Sequence, residues 1–284
     1  MSTFALSSAL AVETRTTLRE LGSTTAALGI VPCLIGAQAR VIWLEHINGL
    51  RALRATTDTD FVIQIDTWDT FAELGDRLVQ DHGWRRDPRR VQRSTVPATR
   101  WSTSYRAVEW RKATLIHWPP DHSHRMDVRG FEIALREAIE LDVSPELAIR
   151  IAPLSVLVLL KLLSWSDRVD GREKDAQDLV SILKVYGDTI EARDLLVEEP
   201  NLELYELEDT DEARGARLVG RQVRQMVDES TLRLVHTILA NELDPDGQQH
   251  LVLYGSKAFG YAEDRDEQAL GMLEAFKRGF EDIR

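Results

Sequence analysis

The chain has 284 residues, 43% hydrophobic and 29% charged, which is room for one large or two modest domains with a buried core. Lysine and arginine number 35 against 47 acids, a net charge of −12; this argues against broad binding along nucleic-acid backbone and leaves room only for a small basic groove. The single cysteine, Cys33, excludes a disulfide framework and a multi-cysteine zinc site, and it suits a reducing cytoplasm.

Residues 1–6 show no basic n-region or signal-peptide pattern. The most apolar run, Ile151 to Leu163, is interrupted by Pro153 and Lys161 and is shorter than the ~20 residues of a membrane span, so neither secretion nor a membrane anchor is expected. Helical spacing over 4–28 ends at Gly29, and Ile30 to Ile35 reads as a buried strand. Gly36 opens a second helix reaching about His46; Asp58 to Asp66 is a β-rich strand, and Trp68 to Gln80 is again helical. This alternation predicts an α/β or α+β sheet domain. Residues 84–112 hold nine Arg/Lys against two acids, Asp87 and Glu109, and have little periodicity; a basic surface strip and, with Trp84 stacking, an RNA-holding strip are both open readings. Thr114 to Trp118 reads as a strand, Phe131 to Glu140 as a helix and Leu147 to Ala152 as a strand. From Pro153 the pattern is nearly all helical, over 153–166, 172–186, 211–230, 229–243 and 265–281. The run 188–215, with eleven acids and two arginines, reads as a solvated linker and surface.

Two constellations could carry chemistry. In Arg54-x-Thr56-x-Asp58-x-Asp60 the two aspartates enter a strand, whose period of two sets both carboxylates on one face. Such a pair repels itself and is relieved by a hard cation such as Mg²⁺. Gly36, at a strand-to-helix turn upstream, would let backbone N–H groups approach a phosphate. These parts suit metal-assisted nucleotidyl transfer; the alternative is two surface acids at a strand start. The second constellation is Lys161 on an otherwise apolar helix, with Asp167 and Arg168 after it and Lys174, Asp175 and Asp178 on the next helix. The lysine must reach solvent or meet an anion, and one structural salt-bridge cluster would account for it. His122 and His124 beside prolines read as a polar loop more readily than as a metal site, and Cys33 as inert packing.

The segments VPCLIGAQARVIWLEH and RATTDTDFVIQIDTWDTF, then IHWPPD and GFEIAL, then APLSVLVLLKLLSWSDR and KDAQDLVSILKVY, resemble the AbiEii/AbiGii-type nucleotidyltransferase family of the DNA polymerase beta-like superfamily, known as toxins of bacterial toxin–antitoxin systems. The resemblance covers about residues 20–190, with an echo in GARLVGRQV. It implies an α+β fold, a nucleotidyltransferase-like mixed sheet flanked by helices over 1–152, and a helical half over 153–284 that completes a nucleotide cleft. It also implies a cytoplasmic Mg²⁺-dependent enzyme that moves a nucleotide from an NTP to an acceptor such as RNA or a tRNA end, with a cognate antitoxin as partner and no membrane. Carried over, Gly36 is the phosphate-loop glycine, followed here by Ala37 where Gly or Ser is usual. Asp58 and Asp60 are the metal pair, preceded by Arg54 and Thr56. Lys161 contacts the triphosphate, Arg168 follows on its helix, and Lys174, Asp175 and Asp178 form the closing motif whose last carboxylate belongs to the site.

One departure bears on turnover. Family members carry a strand of the form apolar-Asp-apolar-apolar-Pro-Phe-Gly before the WPPD segment, and its aspartate resembles the third superfamily carboxylate. No aspartate lies between Asp87 and Asp121 here, and Glu109 has unlike neighbours. The alternative to an active transferase is therefore a degenerate member that binds nucleotide or a protein partner without turnover. Codon arithmetic supplies one origin for the gap. Trp101 to Arg106 can be written TGG TCG ACG TCG TAC CGN after a codon ending in C, and the adjacent frame then reads Leu-Val-Asp-Val-Val-Pro.

Overall fold

A computed structural model describes residues 4–54, 56–88, 92–96, 102–109, 115–118, 124–167 and 172–282, with backbone only for 102–109, 124 and 125. Contacts divide the chain into two units, residues 1–49 with 54–153 and residues 50–53 with 154–284.

The first unit runs β1 (Phe4–Ala5), α1 (Val12–Ala27), β2 (Cys33–Ile35), α2 (Gly36–Val41), β3 (Asp58–Ile65), α3 (Trp68–His82), β4 (Arg85–Arg86), β5 (Arg93–Thr95), β6 (Ser102–Glu109), β7 (Leu115–Trp118), β8 (His124–Asp127), α4 (Phe131–Glu137), β9 (Ile139–Ser144) and β10 (Leu147–Ile151). Eight of these strands form one mixed sheet in the order β1-β9-β10-β2-β3-β6-β5-β4; β7 and β8 form a separate antiparallel pair. The fold class is α+β, a mixed sheet flanked by helices and followed by a helical C-terminal half.

Burial explains the central strands. β2 is buried throughout, and β3 buries Phe61, Val62, Ile63 and Ile65. Cys33 has no exposed surface; burial pushes its thiol up to about 12, against a smaller opposing pull from Arg150, so it packs rather than reacts. α2 runs on through a π-helical stretch, Ile42–Ile47, which holds Trp43 in the core with its indole N–H donating to the Ala152 carbonyl at 2.8 Å. α1 buries four threonines, and three of them, Thr17, Thr24 and Thr25, donate to carbonyls four residues back, so the helix hides polar groups without orphaning them. α3 is capped by Thr67, whose hydroxyl accepts from the Thr70 N–H, and it buries Phe71, Leu74 and Leu78 at helical spacing.

The sheet is wider than periodicity predicts. The helix expected over Phe131–Glu140 stops at Glu137, and the next residues become β9, which pairs with both β1 and β10. The edge strand β4 is two arginines, both exposed, a charge placement that blunts an open edge.

The second unit is helical: α5 (Leu154–Asp167), α6 (Arg172–Val185), α7 (Ile190–Leu196), α8 (Leu204–Leu207), α9 (Asp211–Met226), α10 (Glu229–Glu242), α11 (His250–Gly255) and α12 (Arg265–Glu281). α5 is buried on nearly every side, as its composition requires. Among the described residues no helix is long and apolar enough to cross a membrane.

The acidic run 188–215 is largely exposed surface, as expected, but it is not a linker. It forms α7, α8 and the start of α9, and it delivers Glu208 into an ion network. Glu208 accepts from Arg217 at 3.0 Å and from Arg278 at 2.8 Å, while Asp282 accepts from Arg217 at 2.8 Å and from Arg221 at 2.5 Å. Burial alone would raise both carboxyl pKa values. The hydrogen bonds and charge of Arg278 and Arg217 on Glu208, and of Arg217 and Arg221 on Asp282, outweigh it and hold both below their ordinary 4.5 and 3.8. A depressed carboxyl contributes stability above its unfolded pKa and loses it as pH falls through the folded one. Urea midpoints measured from pH 7 to pH 3 are therefore expected to drop more steeply below pH ~4.5 in the wild type than in a Glu208→Gln/Asp282→Asn variant. Parallel curves would remove these two groups as the acid-labile element.

Candidate functional site

The sheet unit brings together the first constellation. β3 begins as the Asp58 N–H donates to the Thr56 hydroxyl at 3.1 Å, a local turn that sets the strand's first residue. Alternation then leaves Asp58 exposed, buries Thr59 and leaves Asp60 half-buried, so both carboxylates lie on one face. β2 runs antiparallel beside β3 and pairs Ile35 with Asp60. The next residue, Gly36, turns the chain into α2 at φ +73°, and a Cβ there would come 2.6 Å from the Asp60 Oδ2. Glycine is thus required twice, for a left-handed backbone and for the close approach of the aspartate. The irregular segment before β3 is tied to α2, since the buried Arg40 donates to the Arg54 carbonyl at 3.1 Å.

A residue that sequence reading had not singled out completes this cluster. Arg93 on β5 donates from Nη2 to Asp58 Oδ1 at 3.1 Å. The basic character of 84–112 was visible in the sequence, but which arginine meets the pair depends on strand order. Arg40 was equally hidden, because a buried arginine has no local signature.

The helical unit assembles the second constellation within itself. Lys161 Nζ lies 2.8 Å from Asp175 Oδ1 and 2.8 Å from Asp178 Oδ2, and the Ser164 hydroxyl donates to Asp175 Oδ2 at 3.0 Å. Asp178 is wholly buried and Asp175 nearly so, which makes this a buried ion cluster joining α5 to α6. Lys174 is exposed in the first turn of α6, and Arg168 lies outside the described residues.

Two acidic side chains on one strand face offer hard oxygen donors, and the Gly36 turn against Asp60 leaves backbone where a side chain would otherwise stand. Among the described residues no group of three or more His, Cys, Asp or Glu has metal-binding spacing. The pair nevertheless fits Mg²⁺, which is commonly held by one or two carboxylates with water and substrate phosphates completing the shell.

The third carboxylate is not supplied by Glu109. β6 runs parallel to β3 in continuous register, Ser102 opposite Asp58, Ser104 opposite Asp60 and Glu109 opposite Ile65. Glu109 is therefore five positions past Ser104, about 16 Å along the strand. The aspartate of the adjacent reading frame would fall at position 103, opposite Thr59, whose side chain lies on the other face from Asp58 and Asp60; the register would have to slip by one residue to bring it round. Trp84 does not present a stacking surface: it is 1% exposed and its indole N–H donates to Glu20 at 2.5 Å. His122 lies outside the described residues, as does the side chain of His124.

No protein family matches this chain, and no curated protein matches it. Among solved structures, one described as a tRNA-processing enzyme (apo form I) aligns with 96% of this chain and 91% of that chain at 12% identity, with a TM-score of 0.27. A likeness at that score carries no argument about function.

Proposed function

We propose that this protein is a Mg²⁺-dependent nucleotidyltransferase that moves a nucleotide from an NTP to an RNA acceptor, and that it acts as the toxin of a toxin–antitoxin pair. The observation that carries the proposal is the packing of Asp60 on the Gly36 turn, with Asp58 two residues before it on the same strand face. Asp58 and Asp60 would hold the cation, whose chemistry is to neutralise charge on the triphosphate. Gly36, at the turn into α2, would let backbone N–H groups approach a phosphate beside the pair. In the reaction the acceptor hydroxyl oxygen bonds to the α-phosphorus, the α–β phosphoanhydride bond breaks, and pyrophosphate leaves while the hydroxyl proton passes to solvent or a base. The roles that the resemblance implies for Arg54, Thr56, Lys161, Arg168, Lys174, Asp175 and Asp178 belong to the same proposal. For Lys161 they carry a condition, because its ammonium is already shared between two carboxylates.

A second reading, nucleotide binding without turnover, is favoured by β6, which carries no acid before Glu109. One experiment separates the two. The protein is incubated with each α-labelled NTP, Mg²⁺ and total RNA, and its melting temperature is measured with the same nucleotides. Transfer of label to RNA, reduced about a hundredfold or more in Asp58→Asn, supports the enzyme. Stabilisation by Mg²⁺–NTP with no label transferred supports the second reading. Neither transfer nor stabilisation with any NTP overturns both.

A further inference from the structure

The ion pair between Arg93 and Asp58 crosses an intervening strand. The order is β3-β6-β5, so Arg93 starts two strands from β3, about 10 Å away at the usual strand spacing. Its register partner on β6 is Ser104, which in turn pairs with Asp60, and its guanidinium reaches past that row to Asp58. Asp58 and Asp60 place two carboxylates on one face, and Arg93 is a positive charge that the structure sets against Asp58. Its side chain is about one-third exposed and that of Asp58 about one-half, 32% and 55%, so the pair is accessible and exchangeable rather than locked in a core. A guanidinium also matches phosphate oxygens, as it does a carboxylate, with a planar fork.

We infer that Arg93 stands in for the cation at Asp58 and passes to the triphosphate when cation and nucleotide bind; this rests on the reading of Asp58 and Asp60 as the metal pair. Arg93 then competes with metal alone and cooperates with metal plus nucleotide. A merely structural ion pair would also compete with metal at Asp58 but would not cooperate with metal plus nucleotide.

The test is equilibrium binding, followed by calorimetry and by melting temperature, with MgCl₂ alone and then with saturating MgCl₂ and each of ATP, GTP, CTP and UTP. For Arg93→Gln, affinity for MgCl₂ alone is expected to rise by up to about fivefold, since an exposed pair is worth little. Affinity for the preferred NTP is expected to fall about ten- to hundredfold, through loss of a charge-assisted contact. Arg93→Lys keeps the charge without the fork; it is expected to bind MgCl₂ as the wild type does and to lose part of the nucleotide affinity, and it carries the test if the glutamine variant does not fold. Shifts of opposite sign in Arg93→Gln support the inference, and any other pattern overturns it. Asp58→Asn distinguishes the two levels. If it loses the response to MgCl₂ and NTP while Arg93→Gln shows no opposed shifts, the metal pair stands and the role of Arg93 falls. If Asp58→Asn responds as the wild type does, the metal reading fails and takes this inference with it.

Discussion

Replacing Lys161 with methionine is expected to cost about 3–5 kcal/mol of folding stability, the usual penalty for removing one partner of a buried charge cluster. Sequence alone suggests otherwise, because Lys161 lies among leucines and methionine fills similar volume. The structure reverses that expectation: the ammonium is 2.8 Å from each of two carboxylates, and its side chain and those of Asp175 and Asp178 are 15%, 8% and 0% exposed. Methionine would take the positive charge away from both. Urea unfolding at pH 7 followed by circular dichroism checks this, and an unchanged midpoint would show that the cluster adds nothing. Adding Asp175→Asn and Asp178→Asn to the methionine variant removes the uncompensated charges and is expected to recover most of the loss. The same cost bears on function. Lower nucleotide affinity in Lys161→Met would not place this lysine at a phosphate, whereas affinity lost in the neutral triple variant and retained in a stably folded Asp175→Asn/Asp178→Asn variant that keeps Lys161 would.

Gly279→Ala is expected to destabilise the helical unit by about 2 kcal/mol, within the range for overpacking. A Cβ at Gly279 on α12 would come 1.9 Å from the Arg217 carbonyl oxygen of α9, and backbone cannot step aside as a side chain does. The helices would have to part where Arg217 and Arg221 bind Asp282, so contact and ion network are lost together. Against this stands a helix-propensity gain of up to about 1 kcal/mol for replacing glycine with alanine. Gly271 lies on the same helix with nothing within 4 Å of its would-be Cβ, and Gly271→Ala is expected to keep or raise the melting temperature. If the two variants melt alike, the close approach of α9 and α12 is not what requires Gly279.

How much of this could be read before folding depends on how local each cause is. The helices α3, α6, α9, α10 and α12 were legible because their apolar positions recur with a helical period, α5 because its apolar run is too long for a strand, and β3 because Phe61 to Ile65 is β-rich and follows two acids at strand spacing. The pairing of Asp58 with Asp60 on one face was likewise legible, since period-two alternation is a property of any strand. Gly36 was identified as a turn residue, but its second reason, the Asp60 carboxylate against it, exists only once β2 and β3 are in register.

The strands β1, β4, β5, β6 and β9 were not legible. β1, β4 and β5 are two or three residues long and β6 is mostly polar, so they offer no apolar pattern to read; β9 follows a helix without a break, and its partner β1 lies more than a hundred positions away. The charge partners were hidden for the same reason. Sequence offered Lys161 a choice between solvent and an anion, and folding chose Asp175 and Asp178; it offered nine basic residues over 84–112, and strand order chose Arg93 for Asp58. Composition and periodicity alone therefore determined that this chain makes a sheet unit followed by helices and carries a carboxylate pair at a strand start. Which cation meets which anion was decided by tertiary structure, because charge attraction has no sequence period and follows only from which elements the fold sets side by side.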